Sequence, residues 1–343
     1  MSVTKQWLGP RGRLLFPVAI LCLFLSGTAG LIYQVVWTRY LALFTGHTSY
    51  AVVATLMAFM GGLALGNELL GKVADRLKNP LAFYGWLEIG IGLYALFFSQ
   101  IFEFSYGFYL TMAEGSSGGM LLFWKFVIAV GSLFVPTFLM GGTLPVLTKM
   151  VTHSLGELQQ RLSGLYFTNS AGAVLGVGLA EFALIPWIGL YQTVQVAAIL
   201  NLGVGIAALL LNRFFTGAEE AAIAPETKEE STEDPEDIGI SVLDTQLVVL
   251  AIGVSGFVAM LYEVAWTRLL ALAIGSSSNA FAIMLITFIT GITIGAWLIG
   301  RISIRRHHLA WFAWLEIGLG LSVAATMFFY ERISYWFPLM ADW

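Results

Sequence analysis

Four glutamates fall inside stretches that are otherwise apolar, and they are the first places to look for chemistry: Glu88, Glu181, Glu263 and Glu316. An ionised carboxyl in a lipid-like medium is costly, so one that is kept there holds a proton, binds a cation such as an amine, or hydrogen-bonds to a neighbouring helix. Glu88 and Glu316 share the context Trp-Leu-Glu-Ile-Gly, about seven residues into their segments. At 1.5 Å per residue that is about 10 Å deep, too far for a short side chain to reach the interface. A loop arginine such as Arg76 is a candidate partner for such a carboxylate. Glu181 stands apart from the rest and is either proton-linked or a helix contact.

Glu263 corresponds to Gln34, each about one helical turn before a Trp-Thr-Arg triplet. Tyr33 and Trp37, like Tyr262 and Trp266, are spaced i, i+4 and so share one helix face, with Arg39 and Arg268 close behind. Two such faces either line a central pathway or form an interfacial belt of aromatic and basic anchors. Asn169, Asn201 and Lys125 complete the polar set. The histidines, His47, His153, His307 and His308, have no metal-ligand spacing. The single cysteine, Cys22, excludes an intrachain disulfide and a cysteine-based metal site. No nucleophile lies beside a base, so no catalytic residue, metal or cofactor is expected in this chain.

Such residues need apolar helices to hold them, and the composition supplies these. Of 343 residues 58% are hydrophobic and 11% charged, far from the roughly 25% charged of a soluble globule. A polytopic membrane protein is expected, with the lipid bilayer as its main partner. Nine apolar stretches have spanning length: 14–37, 50–70, 81–102, 120–141, 166–187, 191–211, 247–265, 280–299 and 310–330. Backbone groups in hydrocarbon must bond within their own segment, so these are helices. The fourth can continue to Met150 as one helix kinked at Pro136 and running on toward Pro145. Gly27, Gly30, Gly61, Gly62, Gly66, Gly172, Gly176 and Gly178 are placed to let helices approach closely.

The net charge of −4 hides two opposite parts. Between 216 and 237 nine acids accompany one base, Lys228, which gives −8 and reads as a disordered connector; the rest carries +4. Of the Lys and Arg residues, 13 fall on the N-terminal side of the alternating spans and four, Arg39, Lys125, Arg268 and Arg332, on the other. That asymmetry puts the N-terminus and the acidic connector in the cytoplasm and makes the chain a multi-pass protein of the cytoplasmic (inner) membrane; nucleic acid is not an expected partner. Arg11 and Arg13 before an apolar run that ends in small residues also resemble a signal peptide. The recurrence of that run deep inside the chain argues for a retained span.

The recurrence is extensive. LSGTAGLIYQVVWTRYLALFTG, from Leu25, and VSGFVAMLYEVAWTRLLALAIG, from Val254, agree at 11 of 22 positions with a constant offset of 229. LAFYGWLEIGIGL, from Leu81, and LAWFAWLEIGLGL, from Leu309, agree at nine of 13 with an offset of 228. The chain therefore divides into a six-helix unit (1–213), the acidic linker (214–242) and the first three helices of a second copy (243–343). Six spans return the chain to its starting side, so the copies run parallel. Glu103 aligns with Glu331, and Met112-Ala113-Glu114 with Met340-Ala341-Asp342, so three further spans are expected in a longer protein.

The loop Gly71 to Pro80 resembles the loop signature of major facilitator transporters: Gly71, Asp75 and Arg76 match, while Asn79 and Pro80 depart from it. In the second copy Gly300 and Arg305 remain, but Ile304 replaces the aspartate. With SGTAGLIYQVVWTRYLAL, the run Phe59 to Gly66 and the paired WLEIG, nearly the whole chain resembles the membrane part of fused major facilitator/spermidine synthase-like proteins. The resemblance implies an all-α, major-facilitator-like repeat and a transporter-like module for a small cationic, polyamine-like substrate. Its alternatives are a non-transporting anchor or accessory subunit of a larger membrane complex, and an aminopropyltransferase if a catalytic domain follows. Other membrane subunits, or a fused or associated soluble domain, are the partners so implied. The glycine pairs Gly61-Gly62, Gly118-Gly119 and Gly141-Gly142 lie in or beside spans, so the nucleotide-binding sheet of such an enzyme has no place here.

Overall fold

The computed structural model describes residues 12–46, 48–77, 79–151, 155–219, 242–302 and 308–341. His47, Lys78, His153, most of the acidic linker, Ile304, Arg305, His307 and Asp342 lie outside the described residues. Within them are ten α-helices, one π-helical turn and no strand. The helices are α1 (Gly12–Thr45), α2 (Thr48–Arg76), α3 (Pro80–Leu96), α4 (Phe98–Ala113), α5 (Gly118–Val151), α6 (Leu155–Leu179), α7 (Ile185–Glu219), α8 (Val242–Ile274), α9 (Ser277–Arg301) and α10 (His308–Ala341). The π-turn, Ala180–Leu184, joins α6 to α7.

Seven helical stretches are long and apolar enough to cross a membrane, and α3 and α4, bent by 60° at their junction, are so only when taken together. One of the seven, Leu162–Phe214, has 53 residues, which at 1.5 Å each exceeds twice the roughly 30 Å hydrocarbon thickness. It breaks at Gly189, whose φ of 79° and ψ of 175° only glycine adopts without strain. The break falls where the sequence separates 166–187 from 191–211. By contrast, the stretch 81–102 is not one straight span. The chain bends at Phe97 (φ −96°, ψ 9°) so that Phe98 enters a buried aromatic cluster with Trp37, Tyr40 and Phe102. By contrast α10 runs unbroken through Ala325, which the 228-position offset aligns with Phe97.

In the first unit α2 packs along α5, α1 along α6 and α3 along α7. Glycines set the separation. A Cβ on Gly66 would overlap the Phe138 carbonyl of α5, one on Gly62 the Thr137 hydroxyl, and one on Gly172 or Gly176 the carbonyls of Phe24 or Thr28. Gly27 is equally tight against Asn169, whereas Gly30, Gly61 and Gly178 face open space. Both Pro136 and Pro145 lie inside α5, which stays one helix as expected. Pro136 has no N–H for the Ser132 carbonyl one turn back. The Tyr94 hydroxyl of α3 donates to that carbonyl instead, at 2.5 Å. Beyond the linker, α9 packs along α6, and α8 in turn packs along α9.

Candidate functional site

Three polar arrangements lie inside this helical frame. The deepest is built on α3. Gly85 and Gly205 bring α3 and α7 together, since a Cβ on Gly205 would lie 2.8 Å from the Gly85 carbonyl oxygen. Glu88, one turn beyond Gly85, then meets Asn201, one turn before Gly205. The Asn201 amide donates to Glu88 Oε2 at 2.5 Å and the Ser26 hydroxyl of α1 donates to Oε1 at 2.5 Å. The Tyr33 hydroxyl donates in turn to the Asn201 carbonyl oxygen at 3.4 Å. The Tyr84 hydroxyl lies against the same carboxyl without a hydrogen bond of good geometry. Glu88 is fully buried, and Arg76, exposed in the last turn of α2, is not among its partners.

The same contact recurs later in the chain: Ser255 donates to Glu316 at 2.7 Å. Ser26, which recurs as Ser255 beside a recurring glutamate, is no candidate site residue by sequence, although that recurrence is the signal that identifies it. Asn201 was noted only as a polar residue, because no periodicity announces that α7 lies against α3.

The second arrangement is an ion pair. Arg39 of α1 and Glu181 of the π-turn bond directly, with Glu181 buried and the Arg39 side chain 26% exposed. Glu181, isolated in sequence, is therefore paired across 142 positions. A π-turn widens the helix locally and re-aims its side chains, a device common at functional sites. Here it turns Glu181 toward α1. Tyr33 and Trp37 do share a face, with rings stacked 4.8 Å apart and 9° from parallel, but both are fully buried inside the first unit.

The third arrangement is a cavity of about 500 Å³ between α2 and α8. Ser49, Tyr50 and Val52 of α2 form one wall, and Val264, Thr267, Arg268 and Ala271 of α8 the other, with Ser277 at the start of α9. Among the described residues Arg268 has no acidic partner within ion-pair distance. Glu263, next to Val264 in sequence but not among the residues that line the cavity, is 3% exposed; its backbone carbonyl accepts from the Thr267 hydroxyl, and its carboxyl has no hydrogen-bond or ion-pair partner among the described residues. Its counterpart Gln34 is buried in α1, while Tyr262 and Trp266 are half-buried on α8. Gly71 packs near Pro145, and Asp75 and Arg76 are exposed in the last turn of α2. Lys149 of α5 donates to the Ala74 carbonyl in that turn, so the loop motif caps the α2·α5 pair.

Comparison with known proteins adds one relative. A polyamine aminopropyltransferase of Oceanobacillus iheyensis is 22% identical over 184 residues, which cover 54% of this chain and 33% of the relative. The chain thus spans about a third of the length of the curated relative it matches. No family model matches, and no solved structure does.

Proposed function

We propose that the chain is the transporter-like membrane module of a polyamine-related protein, with two major-facilitator-like copies flanking a cavity that admits a small cationic substrate. The observation that carries this reading is Glu263: a residue 3% exposed whose carboxyl has no partner among the described residues, on the same helix, α8, that forms one wall of a 500 Å³ cavity. A buried carboxyl of that kind is a site for an amine. The recurrence of the Ser26–Glu88 bond as Ser255–Glu316 supports the parallel repeat, and the aminopropyltransferase relative supports the polyamine class. Glu88, caged by Ser26 and Asn201, serves in this reading as an internal lock of the first copy.

Spermidine titrated into the purified chain in lipid nanodiscs should bind saturably, and Glu263→Gln should weaken binding about tenfold, the scale of one charge-assisted hydrogen bond. Glu88→Gln should leave it unchanged. Absence of spermidine binding, or indifference to Glu263→Gln, would overturn the reading.

A second reading, a non-transporting anchor or accessory subunit, is favoured by Glu88, both of whose carboxyl oxygens are taken by protein donors, and by the ion pair of Glu181 with Arg39. Aminopropyl transfer belongs, in this chain's case, to a soluble domain fused to it or associated with it. Copurification from native membranes with a stoichiometric partner, together with no spermidine binding, would select this second reading.

A further inference from the structure

The surface of α4 is divided three ways. Phe98, Phe102 and Tyr109, spaced i, i+4 and i+11, turn inward. Phe98 stacks on Trp37, Phe102 meets Tyr40 and Phe44 edge-on, and Tyr109 meets Phe44 edge-on at 5.2 Å, so this face is fixed to α1. On the opposite side Gln100, Glu103, Gly107 and Thr111 recur at i, i+3, i+7 and i+11, and all four are exposed. Between the two faces lie Phe104 and Phe108, one turn apart and both exposed, Phe104 by 77%. A helix surrounded by lipid does not keep a glutamate on its outer strip, and one surrounded by water does not bare a pair of phenylalanine rings.

The bend decides where such a helix lies. α3 has 17 residues, about 25 Å at 1.5 Å per residue, which is most of the roughly 30 Å hydrocarbon layer. α4 has 16 residues but turns 60° away from α3, so its length of about 24 Å carries the chain only about 12 Å further along the α3 axis. We infer that α4 is an interfacial helix, lying at the boundary between acyl chains and headgroups of one leaflet, with Phe104 and Phe108 among the lipids and the strip from Gln100 to Thr111 toward water. Charge specifies the lipid. α4 carries Glu103 and no Lys or Arg. Lys125 of α5 is engaged inward, by the Thr45 carbonyl at 3.3 Å and the Tyr109 ring at 5.8 Å. Anionic headgroups therefore add no attraction, and burial of the rings in zwitterionic phospholipid is the anchor. The inference stands apart from the amine site at Glu263, which lies on another helix.

Single cysteines placed at Glu103, Phe104, Gly107, Phe108 and Thr111 in a Cys22→Ser background, each carrying a nitroxide, test this in the whole chain in phosphatidylcholine nanodiscs. All five positions are exposed, and a Cβ at Gly107 meets open space, so the labels leave the packing intact. Each label is read by its collisions with oxygen, which concentrates among acyl chains, and with a water-soluble nickel chelate. Labels at Phe104→Cys and Phe108→Cys should favour oxygen severalfold more than those at Glu103→Cys, Gly107→Cys and Thr111→Cys, and adding phosphatidylglycerol should leave the pattern unchanged. Oxygen preference at all five positions would make α4 the continuation of a span, and nickel preference at all five would place it clear of the bilayer; either result overturns the inference. So does shielding of the Phe104 and Phe108 labels from both reagents, the sign of a covering protein surface, or a pattern that requires phosphatidylglycerol.

Discussion

At the scale of single residues, both oxygens of Glu88 accept hydrogen bonds, so substitutions there separate bonding from packing. Glu88→Gln keeps an acceptor for the Asn201 amide, while the rotatable Ser26 hydroxyl turns to accept from the new NH₂. The loss should stay within about 1 kcal/mol. Glu88→Leu leaves the buried Asn201 donor and the Ser26 hydroxyl without partners, and should cost about 2–3 kcal/mol. Unfolding midpoints in detergent check this, and equal losses would show that the hydrogen bonds are not what Glu88 contributes. The Arg39–Glu181 pair predicts an asymmetry. Arg39→Gln leaves a carboxylate at 4% exposure, whereas Glu181→Gln leaves a guanidinium that keeps 26% of its surface. The arginine substitution should therefore be the more damaging, by an amount of order 2 kcal/mol that lies between the surface-pair and buried-pair limits. Unfolding of the two single variants and the double variant measures it.

At the scale of elements, small residues and one borrowed hydrogen bond hold the first unit. Gly66→Val forces α2 and α5 apart along their contact, and should lower the unfolding midpoint far more than Gly61→Val, whose Cβ meets open space. Tyr94→Phe deprives the Ser132 carbonyl of the donor that replaces the one missing at Pro136, and should cost about 1 kcal/mol. Hydropathy and glycine placement made most of these helices legible, because spanning length and the punctuation at Gly189 are local properties. The bend at Phe97 was not legible: Phe98 turns inward to meet Trp37, a residue about sixty positions earlier, and no local pattern encodes that meeting. The π-turn escaped for the same reason, since Ala180–Leu184 reads as ordinary helix until Arg39 is placed opposite it. Of the candidate site, the repeated glutamates and arginines could be named in advance, but their partners could not. Ser26, Asn201 and Glu181 are brought to them by packing between distant helices.

At the scale of the whole molecule, the basic residues make a claim about direction that the helices can test. The last two turns of α2 carry Lys72 and Arg76, while the turn between α4 and α5 carries Glu114 and has no basic residue before Lys125. Loops rich in Lys and Arg stay cytoplasmic because moving them across the membrane during insertion is disfavoured. Asn79 and Glu114 are both exposed and stand at opposite ends of the α3–α4 element, so cysteines there report the two sides. In a Cys22→Ser background, Glu114→Cys should react with a membrane-impermeant maleimide added to intact cells, and Asn79→Cys only after the cells are opened. The reverse pattern would invert the orientation and place the Arg268 cavity on the cytoplasmic side. Reaction at both positions in intact cells would mean that the bent α3–α4 element enters and leaves on one face, reducing the first unit to five crossings and breaking the parallel relation between the copies. The labelling therefore tests the even number of crossings on which the parallel repeat depends.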